Sequence, residues 1–169
     1  MLDLNGYGIK ATNSGYSVIT VGSEANLTLK DSTSNRTDTG TNRPNGVTGG
    51  YITGGNISNA SGSGVRIDSG SFTMHGGTII GNTVATNGGG GGVLVKNGSF
   101  TMYGGAITQN TVLDKGGGVW LHSGSFTMHG GSIKGNTAGT GKNLFIEDES
   151  TATIGDTSKT GGTDDEIEL

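Results

Sequence analysis

Three copies of one fifteen-residue phrase constrain this chain more than any other feature. Residues 69–83 read SGSFTMHGGTIIGNT, residues 97–111 read NGSFTMYGGAITQNT, and residues 123–137 read SGSFTMHGGSIKGNT. The copies begin at 69, 97 and 123, so they are spaced 28 and then 26 residues apart. A Gly-led apolar triplet precedes each one: Val65-Arg66-Ile67, Val93-Leu94-Val95 and Val119-Trp120-Leu121. A fourth triplet, Leu144-Phe145-Ile146, follows the last copy. A fixed period of this size marks a stacked repeat, in which each unit buries its apolar face against its neighbours.

Weaker copies flank the strong ones. Tyr51-Ile52-Thr53-Gly54-Gly55-Asn56-Ile57-Ser58-Asn59 matches the second half of the phrase, which aligns Ile57 with Ile79 and Asn59 with Asn82. Asn26–Leu29 and Thr151–Ile154 each match Ser71–Met74. The repeat therefore spans roughly residues 16–156 in about five to six copies. Residues 1–156 read as one domain. Within it, 1–15 is a candidate N-terminal cap carrying Leu2, Leu4, Tyr7 and Ile9, and 32–48 is a polar insertion that holds the only proline, Pro44. Residues 157–169 read as a loose acidic tail.

Each copy holds three short runs that alternate with period two, the signature of strands. Val65 and Ile67 share a face, as do Phe72 and Met74, and Ile79 stands inward between Thr78 and Ile80. The inward positions stay apolar from copy to copy. The position of Ile80 becomes Thr108 and Lys134, so it reads as facing solvent. Three strands per copy, with Gly-rich corners, form one coil of an all-β solenoid, a single-stranded parallel β-helix. Six coils stacked at strand spacing make a rod of about 29 Å. The coils exceed those built from hexapeptides in left-handed solenoids, so a right-handed helix is expected.

Composition gains meaning only from this register. Gly, Thr, Ser and Asn make up more than half of the chain (36, 24, 16 and 14 of 169 residues). That balance suits a disordered segment, but a net charge of only −4 and the regular placement of the apolar residues argue for order. So much Gly, Thr and Asn excludes a helical bundle. One Pro and no Gly at every third residue exclude collagen. No apolar run reaches the roughly 20 residues of a membrane-spanning helix. With no Cys there is no disulfide framework and no thiolate metal site. Ten scattered basic residues disfavour a nucleic-acid partner. Met1-Leu2-Asp3-Leu4-Asn5-Gly6 lacks the basic and apolar regions of a signal peptide. The chain is accordingly expected to be cytosolic or a piece of something longer, either a monomer or one part of a larger chain.

The run G-G-G-V-x-(V/L)…G-S-F-T-M-x-G-G-x-I-x-x-N-T resembles repeats of large bacterial surface and secreted proteins in the pectin-lyase-like, right-handed β-helix class. Gly104-Gly105-Ala106-Ile107-Thr108-Gln109-Asn110 is also similar to the GGAI element of polymorphic outer-membrane protein repeats, although that family's companion F-x-x-N element is absent. The resemblance implies an extracellular or cell-surface location. It implies a non-catalytic role of adhesin or stalk type, with a glycan or a host or cell-surface protein as partner. A polysaccharide lyase or hydrolase, or a fragment of one, is the alternative it carries. A purely structural repeat module is a further one.

Four sets of residues are candidates for a role. Asn59, Asn82, Asn110 and Asn136 occupy one corner of successive copies and read as a structural amide ladder. Arg66, Leu94, Trp120 and Phe145 are the outward residues of the triplets. Leu94, Trp120 and Phe145 are expected to form an exposed apolar binding stripe flanked by Lys96, His122 and Glu147–Glu149. His75, Tyr103 and His129 share an outward position, but two coils separate the imidazoles, about 10 Å by strand spacing, which is too far to share one metal ion. For catalysis, no polygalacturonase or pectate-lyase motif occurs. Asp31, Arg36, Asp38, Arg43, Arg66 and Asp68 are the weak candidates, converging only through the insertion. The five-Gly run at 88–92 lacks the G-K-[ST] ending of a phosphate loop. No cofactor is expected. Asp164, Asp165, Glu166 and Glu168 offer carboxylates to Ca²⁺, but such a run reads first as a solvated tail.

Overall fold

A computed structural model describes the chain except for residues 34, 37–42, 59, 86, 165, 166 and 169, and except for the side chains of residues 158–160, 164 and 168. The described residues contain strands, turns and bends and no helix. None of their segments is a helix long and apolar enough to cross a membrane.

The strands stack in parallel rows to give a solenoid of about five turns. The first row holds Ile19–Val21, Val65–Ile67, Val93–Val95, Val119–Leu121 and 144–146. The second holds Leu2–Asp3, Asn26–Lys30, Ser71–Met74, Gly98–Met102, Gly124–Met128 and 151–154. The third holds Gly8–Lys10, Tyr51–Thr53, Thr78–Ile80, Ala106–Thr108 and Ser132–Lys134. Like residues fall opposite like residues in the strong copies. Phe72, Phe100 and Phe126 pair in register and stack inside, with ring centroids 5.1 and 5.0 Å apart and planes inclined by 14° and 17°. Met74, Met102 and Met128 form the next inward column, and Ile52, Ile79, Ile107 and Ile133 line the opposite wall. A coil with so few apolar side chains has a dry core only because each column continues through its neighbours.

Glycine is required where the second row turns into the third. Gly105 and Gly131 have φ of 94° and 99°, the left-handed region, and a Cβ on Gly105 would lie 2.6 Å from the Gly77 carbonyl oxygen. Successive corners can approach this closely only without side chains.

The structure departs from the sequence reading in four places. The coil has a fourth strand: Asn56–Ile57, Thr83–Val84 and Thr111–Val112 pair in parallel, and Ile57, Val84 and Val112 form a small core of their own. Ile57 consequently pairs with Val84, while Ile52 takes the place opposite Ile79. The Gly-Gly pair occurs twice in this copy, at 49–50 and 54–55, and the upstream pair is the one that turns the corner before the third row. Ile80 is buried rather than solvent-facing, because Val47 from the end of the insertion and Tyr51 from the neighbouring strand of the third row pack with it.

The fourth departure is the tail. After a turn at Gly155, Thr157–Asp164 runs back antiparallel along Leu144–Ile154. Ile167–Glu168 then pairs antiparallel with Ser132–Lys134, and Ile167 is buried in the main core. At the other end, residues 1–15 supply part of an additional coil. Its strands join the second and third rows, Leu4 is buried and Tyr7 is exposed.

Candidate functional site

The asparagine column lies inside the solenoid. Asn110 Oδ1 accepts from both the backbone N (3.1 Å) and Nδ2 (3.0 Å) of Asn82. Asn136 Oδ1 accepts the same pair from Asn110, both at 3.0 Å. Each amide nitrogen also reaches a carbonyl of the preceding coil, Asn110 to Ile79 at 3.0 Å and Asn136 to Ile107 at 2.9 Å. The last rung is Asn143, whose Oδ1 accepts from Asn136 N and Nδ2 at 3.2 and 2.8 Å. At the other end Asn82 Oδ1 accepts the Gly55 N–H at 3.0 Å. Gly55 therefore stands opposite Asn82, the place the sequence reading gave to Asn59, which lies outside the described residues. The described column satisfies its buried polar groups internally, each amide bonding the next and the backbone beside it.

The weak catalytic candidates separate into two groups. Asp31 is engaged at both oxygens: Oδ1 accepts from Gly6 N and Oδ2 from Gly50 N, each at 2.7 Å. Arg43 donates to the carbonyls of Gly49 and Gly6 and lies 5.0 Å over the Tyr51 ring, and Arg36 lies 4.2 Å over Tyr7. These three residues strap the ends of the 32–48 insertion to the first turn. Asp38 lies outside the described residues. Arg66 and Asp68 pair with each other at 2.8 Å in the first row. The five described candidates therefore fall into two sets, Asp31, Arg36 and Arg43 at the insertion and Arg66 with Asp68 beside the first row.

The expected apolar stripe is a groove instead. Leu94 is only 2% exposed, because Gly62 and Gly90 pass directly over it; a Cβ on either would lie 2.8 Å from Leu94 Cβ. Phe145 is half-buried, with Lys115 Nζ 4.9 Å from its ring centroid. Trp120 is half-buried too. Gly89 packs against its six-membered ring, Nε1 donates to Glu147 Oε1 at 3.2 Å, and His122 meets it edge-on at 5.2 Å. Glu147 is held in turn by Lys115 at 3.4 Å. The result is a cleft of about 200 Å³ lined by Ala60, Ser61, Arg66, Leu94, Lys96, Trp120 and His122. Leu94 is the floor, Trp120 a wall, and Lys96 and His122 an exposed rim. Lys96 stands 3.9 Å from Asp68, and Arg66 also donates to the Ser61 carbonyl at 3.0 Å. Ser61 and Ala60 were not foreseen, since their segment carries no repeat signal.

On another face, His75, Tyr103 and His129 form a continuous ring stack, with centroids 4.9 and 4.8 Å apart and planes within 5° and 18° of parallel. Among the described residues no group of three His, Asp or Glu side chains is placed to hold a metal ion. The carboxylate of Asp3, in the same outward row as His75, lies well below the usual aspartate range. The Ser32 hydroxyl and N–H donate to it, and Lys30 stands 3.1 Å away. No known family, curated protein or solved structure matches the chain.

Proposed function

We propose that this chain is a non-catalytic β-solenoid of the pectin-lyase-like kind, secreted or displayed on a cell surface. In this reading it acts as a rigid stalk or adhesin that holds carbohydrate in the Trp120 groove. The observation that carries the proposal is the half-exposed indole beside an apolar floor, rimmed by Arg66, Lys96 and His122. A sugar ring presents a C–H face that packs on an aromatic wall and hydroxyls that exchange hydrogen bonds with polar rim groups. At about 200 Å³ the groove is smaller than the roughly 300–1,000 Å³ of ordinary small-molecule pockets. It suits one ring of an extended glycan held at the surface. The solenoid supplies the rigidity a displayed site needs, since every groove residue from 66 to 122 stands on or beside a paired strand.

Trp120 is the sole tryptophan, so its fluorescence reports on the groove directly. Titration with a panel of oligosaccharides is expected to give a saturable change for at least one of them. Trp120→Ala is expected to abolish retention on that glycan while leaving the β-sheet circular dichroism intact. A Trp120→Ala protein that kept every glycan and cell-surface interaction of the parent would sink the proposal.

A further inference from the structure

We propose that Thr157–Asp164 and Ile167–Glu168 form a displaceable cap, and that the end of the solenoid they cover is a docking face for a second copy of this chain. The pairing of the cap carries the argument. After Gly155 the chain retraces the stack in the reverse direction: 157–160 pairs with 151–154 of the second row, 162–164 pairs with 144–146 of the first, and Ile167–Glu168 pairs with Ser132–Lys134 of the third. The cap is therefore one coil of opposite sense laid on the last parallel coil. Strand edges left bare invite pairing with another chain, and this edge already accepts an antiparallel coil over its first, second and third rows.

A second copy related by a two-fold axis across the solenoid end presents such a coil. The axis reverses chain direction, brings the first row of one copy onto the second row of the other, and sets the third row against itself. Twofold symmetry makes the contact self-complementary and closed, so it ends at a dimer. The side chains favour exchange. Thr157–Asp164 has no apolar residue, and among the described residues of the cap Ile167 is the buried apolar anchor. The coil beneath turns Leu144, Ile146, Ala152 and Ile133 inward, with Ile154 half-buried beside them. In the dimer these residues meet a like set, where the cap offers a single isoleucine.

The test uses the full chain carrying Ile167→Asp, with Ile167→Val as the variant that keeps the anchor. Amide exchange across 157–164 and sedimentation equilibrium are read together. Ile167→Asp is expected to exchange at least tenfold faster in that segment and to pass from monomer to dimer as concentration rises. Ile167→Val is expected to stay capped and monomeric. A synthetic peptide of residues 157–169 in excess is expected to return the Ile167→Asp dimer to monomer. A released tail with a chain that stays monomeric overturns the proposal. So does a tail that stays protected in Ile167→Asp, assembly beyond the dimer (a head-to-tail contact with the Leu2–Asp3 end), or a dimer indifferent to the peptide.

Discussion

Replacing Asn110 with Ala tests the internal amide column at its centre. Asn110 has no exposed surface, and its side chain takes part in four hydrogen bonds: two accepted from Asn82 and two donated, to Ile79 O and Asn136 Oδ1. The losses are unequal. Asn136 Oδ1 keeps the backbone N–H of residue 110, and Asn82 Nδ2 keeps contacts to the Ile52 and Ile80 carbonyls at 3.4 and 3.3 Å. The Asn82 backbone N–H keeps no partner among the described residues. One orphaned buried donor, together with the bonds lost beside it, comes to about 2–4 kcal/mol. For a chain of this length that is a fall in melting temperature of roughly 4–16 °C. Urea unfolding followed by Trp120 fluorescence, with thermal melts by circular dichroism, measures both quantities. Asn110→Asp is expected to do no better, since a carboxylate would face the Ile79 carbonyl and the Asn136 amide oxygen. If Asn110→Ala unfolds within 0.5 kcal/mol of the parent, a size below that of any ordinary buried hydrogen bond, the reasoning about the column is wrong.

Other expectations follow from the same geometry. Phe100→Ala, which breaks the ring column between Phe72 and Phe126, is expected to lower stability by about 3–5 kcal/mol in urea titrations, and a loss under 1 kcal/mol would mean the column is not packed. Gly131→Ala forces a side chain into φ 99° with its Cβ 2.7 Å from the Gly105 carbonyl oxygen. It should destabilise the chain by more than the ~1 kcal/mol of an ordinary Gly-to-Ala backbone effect, and a stabilised variant would contradict the corner geometry. Asp3 has its acidity strengthened in the fold, so its contribution is complete above the ordinary aspartate pKa of about 3.9 and is lost as pH falls toward its folded value. Stability measured from pH 5 down to pH 2 should therefore fall less steeply for Asp3→Asn than for the parent, and identical slopes would show that the Ser32 and Lys30 contacts are not formed in solution.

The repeat made the rows legible wherever a position recurs unchanged. Phe72, Phe100 and Phe126 could be placed inward because alternation and period agree, and the structure pairs them in register. Legibility ends where a local signal is duplicated or missing. Two Gly-Gly pairs in the 49–55 segment allowed two alignments, and only the packing of Ile52 against Ile79 selects between them. Asn143 could not be foreseen as the last rung, because by repeat position it corresponds to Gly118; it reaches the column from a different place in the coil. Leu94 was placed outward correctly by alternation, yet it is buried, because alternation carries no information about loops that fold back over a face. The reversal after Gly155 lacks both a repeat and an apolar pattern; among the described residues it is held by backbone pairing and by the buried side chain of Ile167.

The central claim is that distant copies lie in parallel register along one axis. Asn26 and Thr151 are both exposed and stand four rungs apart in the second row, through Ser71, Ser99 and Ser125. Spin labels at these two positions, read by double electron–electron resonance, measure that separation directly. Four strand spacings give about 19 Å between the backbones, so a single narrow distribution near that value, widened only by the label arms, is the expected result. A broad distribution centred near the roughly 60 Å of a flexible chain of this span, or a sharp one well away from 19 Å, would contradict the stacked register.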